Sequence, residues 1–150
     1  MMTSFSLARA QQCTVSSYPE LCLAMADPAK AHCATIVVRG VGSTNVTGIA
    51  PVCEVRRSVT IECEASAAPW VCDPQASCIL VRDTTAMSVA VRGCRMLGHG
   101  VNVTASSKTD LTLDGVSVDG LNTSRCVTVA DARNVTIRGS QFRNGFTHTS

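Results

Sequence analysis

The chain has 150 residues, enough for one domain with a core of its own, and a formal net charge of +2 spread over interleaved basic and acidic residues. Aromatic residues make up only 3%. The core must therefore come from Val, Leu, Ile, Ala and Met, and without a Lys/Arg cluster or rings for base stacking nucleic-acid binding is not expected. No apolar run reaches the roughly 18 residues that a membrane helix needs, so no membrane span is predicted.

Residues 1–33 read as an N-terminal arm and a capping helix. Met1 to Gln12 lacks the long apolar stretch of a signal peptide. Ser17-Tyr18-Pro19-Glu20 has the form of a capping box, and Pro19 is tolerated in a first helical turn. Leu21, Ala24 and Met25 give a short helix one apolar side, and Asp27-Pro28 ends it. Cys13, Cys22 and Cys33 bracket this helix, and one disulfide among them would pin it.

Residues 34–150 carry one phrase in five copies: apolar, small, apolar, charged, then Gly or Cys. The copies are Ile36-Val37-Val38-Arg39-Gly40, Val59-Thr60-Ile61-Glu62-Cys63, Val89-Ala90-Val91-Arg92-Gly93, Leu111-Thr112-Leu113-Asp114-Gly115 and Val135-Thr136-Ile137-Arg138-Gly139. Their last residues fall at steps of 23, 30, 22 and 24. Gly42 to Pro51 is rich in turn residues, and Ala65 to Ser77, with Pro69, Trp70 and Pro74, is the insertion behind the step of 30. After each Gly an apolar residue recurs (Met96, Val118, Phe142), then a second Gly (Gly98, Gly120, Gly145), then an apolar pair such as Val101 and Val103. Such a period describes short strands and turns with no room for a helix, wound once per repeat.

The predicted fold is all-β: a solenoid of short strands with a short N-terminal capping helix, which the resemblance given below makes a right-handed parallel β-helix. Val89, Val91, Leu111, Leu113, Val135 and Ile137 are expected to stack as its core. The charged position reads Arg39, Glu62, Arg92, Asp114, Arg138, alternating in sign at every step. In register, these side chains would be outward neighbours, each opposite pair contributing roughly 0.2–1 kcal/mol. Only eleven residues follow Gly139. The last coil is therefore expected to be incomplete, presenting Val135, Ile137 and Phe142 at a free edge. The chain is expected to be a fragment of a longer β-helix and to self-associate through that open coil.

On Leu111-Thr112-Leu113-Asp114-Gly115 and Asn134 to Phe142, the chain resembles the right-handed parallel β-helix, or pectin-lyase-like, superfamily over about residues 34 to 146. That superfamily holds lyases, hydrolases, adhesins and scaffolds, so the resemblance implies a fold more than an activity. Cys94 followed by Gly98-His99-Gly100 is similar to the Gly-His-Gly segment of polygalacturonases, which makes His99 the one catalytic candidate. The resemblance would place a Gln-Asp-Asp-Cys segment one coil upstream. Gln75-Ala76-Ser77-Cys78 stands there instead, and both carboxylates needed to flank a glycosidic bond are missing. His99 is thus expected to be an exposed loop residue.

Nine cysteines with three histidines and no C-x-x-C pair argue for an oxidising compartment over a zinc site. Cys72 and Cys78 suit a loop-closing disulfide, and Cys53, Cys78 and Cys126, with Gly100 between, occupy one repeat position as a buried thiol ladder. Four of the five asparagines, Asn45, Asn102, Asn122 and Asn134, lie in N-x-[ST] sequons and are glycosylation candidates, although Asn also suits turns and Thr the strand after them. Asp114 and Asp119 could share a face with Glu62 or Asp83, but the charge ladder accounts for Asp114 and Glu62 without calcium. Gly40-Val41-Gly42 continues to Asn45 where a dinucleotide loop needs its third Gly. No cofactor and no metal are expected. Trp70 is either a sugar-stacking platform or a plug, and the plug is favoured. Together these features describe a non-catalytic extracellular or cell-surface module with polysaccharide or cell-wall glycan as its candidate partner; the alternative is a partial or degenerate polysaccharide-degrading enzyme.

Overall fold

The computed structural model describes residues 12–40, 52–73, 76–82, 84–104, 106–122 and 125–145, the side chains of 106 and 107 excepted. The segment 42–51, Gln75, Asp83 and the last five residues lie outside these. Every strand pairing among the described residues is parallel, and the fold is a parallel β-solenoid. The strands are β1 (Gln12–Val15), β2 (Thr35–Val38), β3 (Cys53–Glu54), β4 (Val59–Cys63), β5 (Trp70–Val71), β6 (Ile79–Val81), β7 (Met87–Arg92), β8 (Arg95–Leu97), β9 (Val101–Val103), β10 (Ser106–Asp114), β11 (Ser117–Asp119), β12 (Val127–Val129), β13 (Ala132–Arg138) and β14 (Gln141–Arg143). They form a long sheet β1-β2-β4-β7-β10-β13, a second sheet β5-β8-β11-β14 and a third sheet β3-β6-β9-β12. One coil thus runs from the third sheet through the long sheet to the second.

The repeated phrase sets the corner after each long-sheet strand. Gly93, Gly115 and Gly139 all have positive φ there, at 67°, 63° and 54°. Only Gly enters this region without a Cβ penalty. The apolar residues on either side of the small one point inward and stack: Ile36, Ile61, Val91 and Leu113 form one column and Val59, Val89 and Leu111 another. All seven are essentially inaccessible to solvent. Val135 and Ile137 continue these columns in register but are 43% and 48% exposed. The expectation that they are buried fails because no described coil lies on their far side.

The first copy is also out of step. Ile36 pairs with Ile61, and Val37, not Arg39, stands opposite Glu62. Side chains alternate with a period of two, so a slip of two residues keeps every inward residue inward and leaves no mark in the pattern. Arg39 pairs instead with Glu64 at 3.4 Å.

Helix α1 (Tyr18–Ala26) lies at the start of the solenoid. The Ser17 hydroxyl accepts a hydrogen bond from the Glu20 N–H at 3.2 Å, while the Glu20 carboxylate reaches back to the Ser16 N–H at 2.9 Å, one residue further than a capping box requires. Tyr18, Leu21, Ala24 and Met25 are buried. The helix occupies the part of the chain between β1 and β2 where later coils place strands of the second and third sheets, and it packs on β3. Tyr18 stacks flat on Trp70, ring centroids 4.8 Å apart, and its hydroxyl donates to the Ala68 carbonyl. Trp70 has no exposed surface, so it is the plug and not a sugar platform. Arg57 donates to the carbonyls of Cys33 at 2.8 Å and Lys30 at 3.2 Å, tying the segment after α1 to the coil. Part of the expected arm, Gln12–Val15, is a strand that extends the long sheet.

Four disulfides staple the structure. Cys13–Cys33 ties β1 to the residue pair before β2, Cys22–Cys53 ties α1 to β3, Cys63–Cys94 joins successive corners of the long sheet, and Cys72–Cys78 closes the turn between β5 and β6. Cys126 is a buried free thiol. The expected ladder of Cys53, Cys78 and Cys126 does not form: Cys53 is in register with Ile79, one residue on, and both Cys53 and Cys78 are oxidised.

Candidate functional site

The lateral wall of the long sheet is where the repeat gathers polar chemistry. Outward from β4, β7, β10 and β13 point Thr60, Ala90, Thr112 and Thr136 in one row and Glu62, Arg92, Asp114 and Arg138 in the next. Arg92 pairs with Glu62 and Arg138 with Asp114, both at 3.5 Å. These pairs are exposed and each contributes well under about 1 kcal/mol. Their effect is to fix side chains and neutralise the wall. A third pair lies further back along the same strands, where Arg133 grips both oxygens of Asp110 and the Asn134 amide donates to Asp110 at 3.0 Å. The Arg133 hydrogen bond, with that from Asn134, pushes the Asp110 pKa down to about 2. Asp110 and Arg133 lie 23 residues apart, close to one repeat, and that spacing was the only signal of the pair in the sequence.

Two further carboxylates on the coils are held in the same way. Glu54 accepts from Arg56 at 2.7 Å and from Arg82 at 2.9 Å, and its pKa is lowered, first by the Arg56 hydrogen bond. Asp119 accepts from the Leu121 N–H at 2.9 Å and the Asn144 amide at 3.2 Å. Neither Glu54 nor Asp110 is shifted upward, as a general acid for glycoside cleavage would be.

His99 is not the exposed loop residue expected from the sequence. It sits half-buried at the corner between β8 and β9, and its Nε2 is buried without a hydrogen-bond partner. Burial lowers its pKa, a backbone hydrogen bond at Val101 opposes that shift, and the charge acting on it is Arg125. Ser77, in the equivalent place one coil earlier, donates to the Ile79 carbonyl at 3.0 Å. Both side chains therefore link to the backbone two residues on, which is a way of holding a corner. Among the described residues no carboxylate is a cause of the His99 shift. Gly100 beside it allows close packing, since a Cβ there would meet the Met96 sulfur at 2.8 Å and Val118 at 3.2 Å.

Two hollows flank α1. One, of about 280 Å³, is lined by Cys13, Val15, Glu20, Leu23 and Lys30; the other, of about 580 Å³, by Cys22, Met25, Val52, Glu54 and Arg56. Neither contains His99. Among the described residues one grouping has metal-donor atoms close together, Cys13, His32 and Cys33, within 4.8 Å of one another. Two of the three are joined in a disulfide, which removes the thiolates that a metal would need.

The sequons differ sharply in setting. Asn122 is exposed, with φ of 60°, in the turn after β11. Asn134 is exposed but its amide is bound to Asp110. Asn102 is half-buried on β9, with a buried and unpartnered carbonyl oxygen. Asn45 lies outside the described residues. No helix of the described residues is long and apolar enough to cross a membrane. The chain matches no family model, no curated protein and no solved structure.

Proposed function

We propose that the chain is a non-catalytic β-solenoid module of secreted or cell-surface type, whose lateral wall recognises a polysaccharide without cleaving it. The carrying observation is the condition of its acids: Glu54, Glu62, Glu64, Asp110, Asp114 and Asp119 are each held by an arginine or by amides. Glycoside hydrolysis needs one acid and one base free to face a bond. His99, with Arg125 as its charged neighbour, supplies neither partner. A row of Thr60, Thr112 and Thr136, interrupted by Ala90 and bordered by fixed charges, presents hydroxyls and ion pairs along the wall, which suits the hydroxyls of an extended glycan. Four disulfides support an oxidising compartment. The likeness to pectin-lyase-like proteins belongs to this proposal as an analogy of fold.

The test is affinity electrophoresis of the purified chain through polygalacturonate, pectin and neutral cell-wall polysaccharides, with product release assayed on the same substrates. The expected result is retardation on at least one polysaccharide and no product above background. Product release that disappears in His99→Ala would overturn the proposal in favour of a degenerate polysaccharide-degrading enzyme. Uniform lack of retardation would reduce the chain to a scaffold.

A further inference from the structure

Away from the lateral wall, β1 and the turn before β2 bring together the sulfurs of Cys13 and Cys33 and a ring nitrogen of His32, all within 4.8 Å of one another. His32 Nε2 is 4.0 Å from the Cys13 sulfur. A tetrahedral zinc ion, about 2.3 Å from sulfur and about 2.0 Å from nitrogen, sets those two donors about 3.5 Å apart and two sulfurs about 3.8 Å apart. His32 is exposed, so its ring is free to make the remaining shift of about 0.5 Å.

Backbone hydrogen bonds hold these residues in place independently of the disulfide. β1 lies on β2 through a register of four residues, and the Arg39 N–H donates to the Val15 carbonyl at 2.9 Å just beyond it. In the turn, the Cys33 N–H donates to the Lys30 carbonyl at 2.9 Å, and Arg57 donates to the Cys33 carbonyl at 2.8 Å. Opening the Cys13–Cys33 bond therefore leaves two thiols and an imidazole still clustered. Cys33 is fully buried, but Cys13 is half-buried and lines the smaller hollow beside α1, which gives a reductant its way in.

We infer that the reduced chain binds a zinc ion here through Cys13, His32 and Cys33. An external dithiol supplies the reduction. Its thiolate attacks the Cys13 sulfur, Cys33 leaves as a thiolate and takes up a proton, and the second thiol of the reagent resolves the mixed disulfide. The pair thus gains two electrons and two protons, and the reagent ends as its own disulfide. Zinc then displaces the two thiol protons, because only thiolates ligate it. Three protein donors leave its fourth position to water. Two soft sulfurs and an imidazole select zinc over calcium or magnesium, which take oxygen donors. Disulfide and metal are alternative clasps for β1, one for oxidising surroundings and one for reducing ones.

The probe is zinc itself, titrated against the intact chain in competition with a chromophoric chelator, before and after reduction by a dithiol that is then removed without oxygen. His32→Ala is the deciding variant, because it keeps all nine cysteines and alters an exposed residue. Expected are no zinc on the oxidised chain and, on the reduced chain, one equivalent whose affinity falls by about tenfold or more in His32→Ala and in Cys13→Ser. The ring NMR signals of His32 should shift on zinc addition, and those of the other two histidines should not. Circular dichroism follows the fold of the reduced chain. Zinc bound before reduction, no zinc bound after it, or equal affinity in the native chain and His32→Ala, whether the reduced chain is folded or not, would each overturn the inference. The glycan proposal is untouched by these outcomes, because Cys13, His32 and Cys33 lie outside the lateral wall.

Discussion

Leu113 and Ile137 occupy one inward column on neighbouring strands, yet truncating them should not cost the same. Leu113 is 0% exposed, with Val91 on one side and Ile137 on the other. Leu113→Ala removes three carbons, about 2.4 kcal/mol of transfer at about 0.8 kcal/mol per methylene. A residual cavity between two coils adds roughly 1–2 kcal/mol, since the coils above and below hold each other apart, for a total of about 3.5–4.5 kcal/mol. Ile137→Ala removes the same number of carbons, but Ile137 is 48% exposed. About half the transfer value remains, near 1.2 kcal/mol, and the open side closes no cavity. Urea unfolding followed by far-UV circular dichroism, with Trp70 fluorescence as a second probe, should therefore show losses in a ratio of about three to one. Equal losses, or a larger loss at Ile137, would mean that the last coil is covered and that the stacking described for the column is wrong.

His99 should titrate below the ordinary histidine range, because burial disfavours its charged form. As pH falls below the unfolded value of about 6.5, the unfolded chain takes up a proton that the folded chain resists. Stability should thus drop with pH through that window, and the drop should be smaller in His99→Gln, as ring NMR titration and denaturation at several pH values would show. Thiol titration without reductant should find one reactive thiol per denatured chain, Cys126, and none in the native state, where it is buried. The Cys63→Ala/Cys94→Ala double variant, opening a loop with a sequence separation of 31, should lose about 3–4 kcal/mol in the loop-entropy model when unfolded by urea. A loss below about 1 kcal/mol would show the pair not to be bridged.

The strands on which Val-Thr-Ile alternation is followed by Gly were legible because two independent constraints coincide there, a period of two and a corner that only Gly enters freely. The helix was legible from Ser17 and Glu20. β1 was not, since Gln-Cys-Thr-Val is too short to display a period and becomes a strand through pairing with β2. The slip of the first copy and the Cys63–Cys94 bridge share one cause. Both depend on which residue faces which across coils, and alternation alone fixes that only to the nearest two residues. Of the candidate site, the alternating wall was readable, apart from the place of Arg39. The seating of His99 was not, because two flanking glycines say turn and nothing in them says which way the ring packs.

The disulfides lie unevenly along the solenoid axis: all four fall between Cys13 and Cys94, and none joins β10 through β14. Under a stretching force applied to the two termini, the molecule should behave as a ratchet with one loose end. The last coils can peel away one at a time, each freeing the 22 to 24 residues of a repeat, or about 75–80 Å of contour at about 3.4 Å per residue. Toward α1 the covalent bridges shorten what can be released, so extension should stall at the corner held by Cys63 and Cys94. The wall nearest that corner would keep its shape under a load that has already unwound the other end.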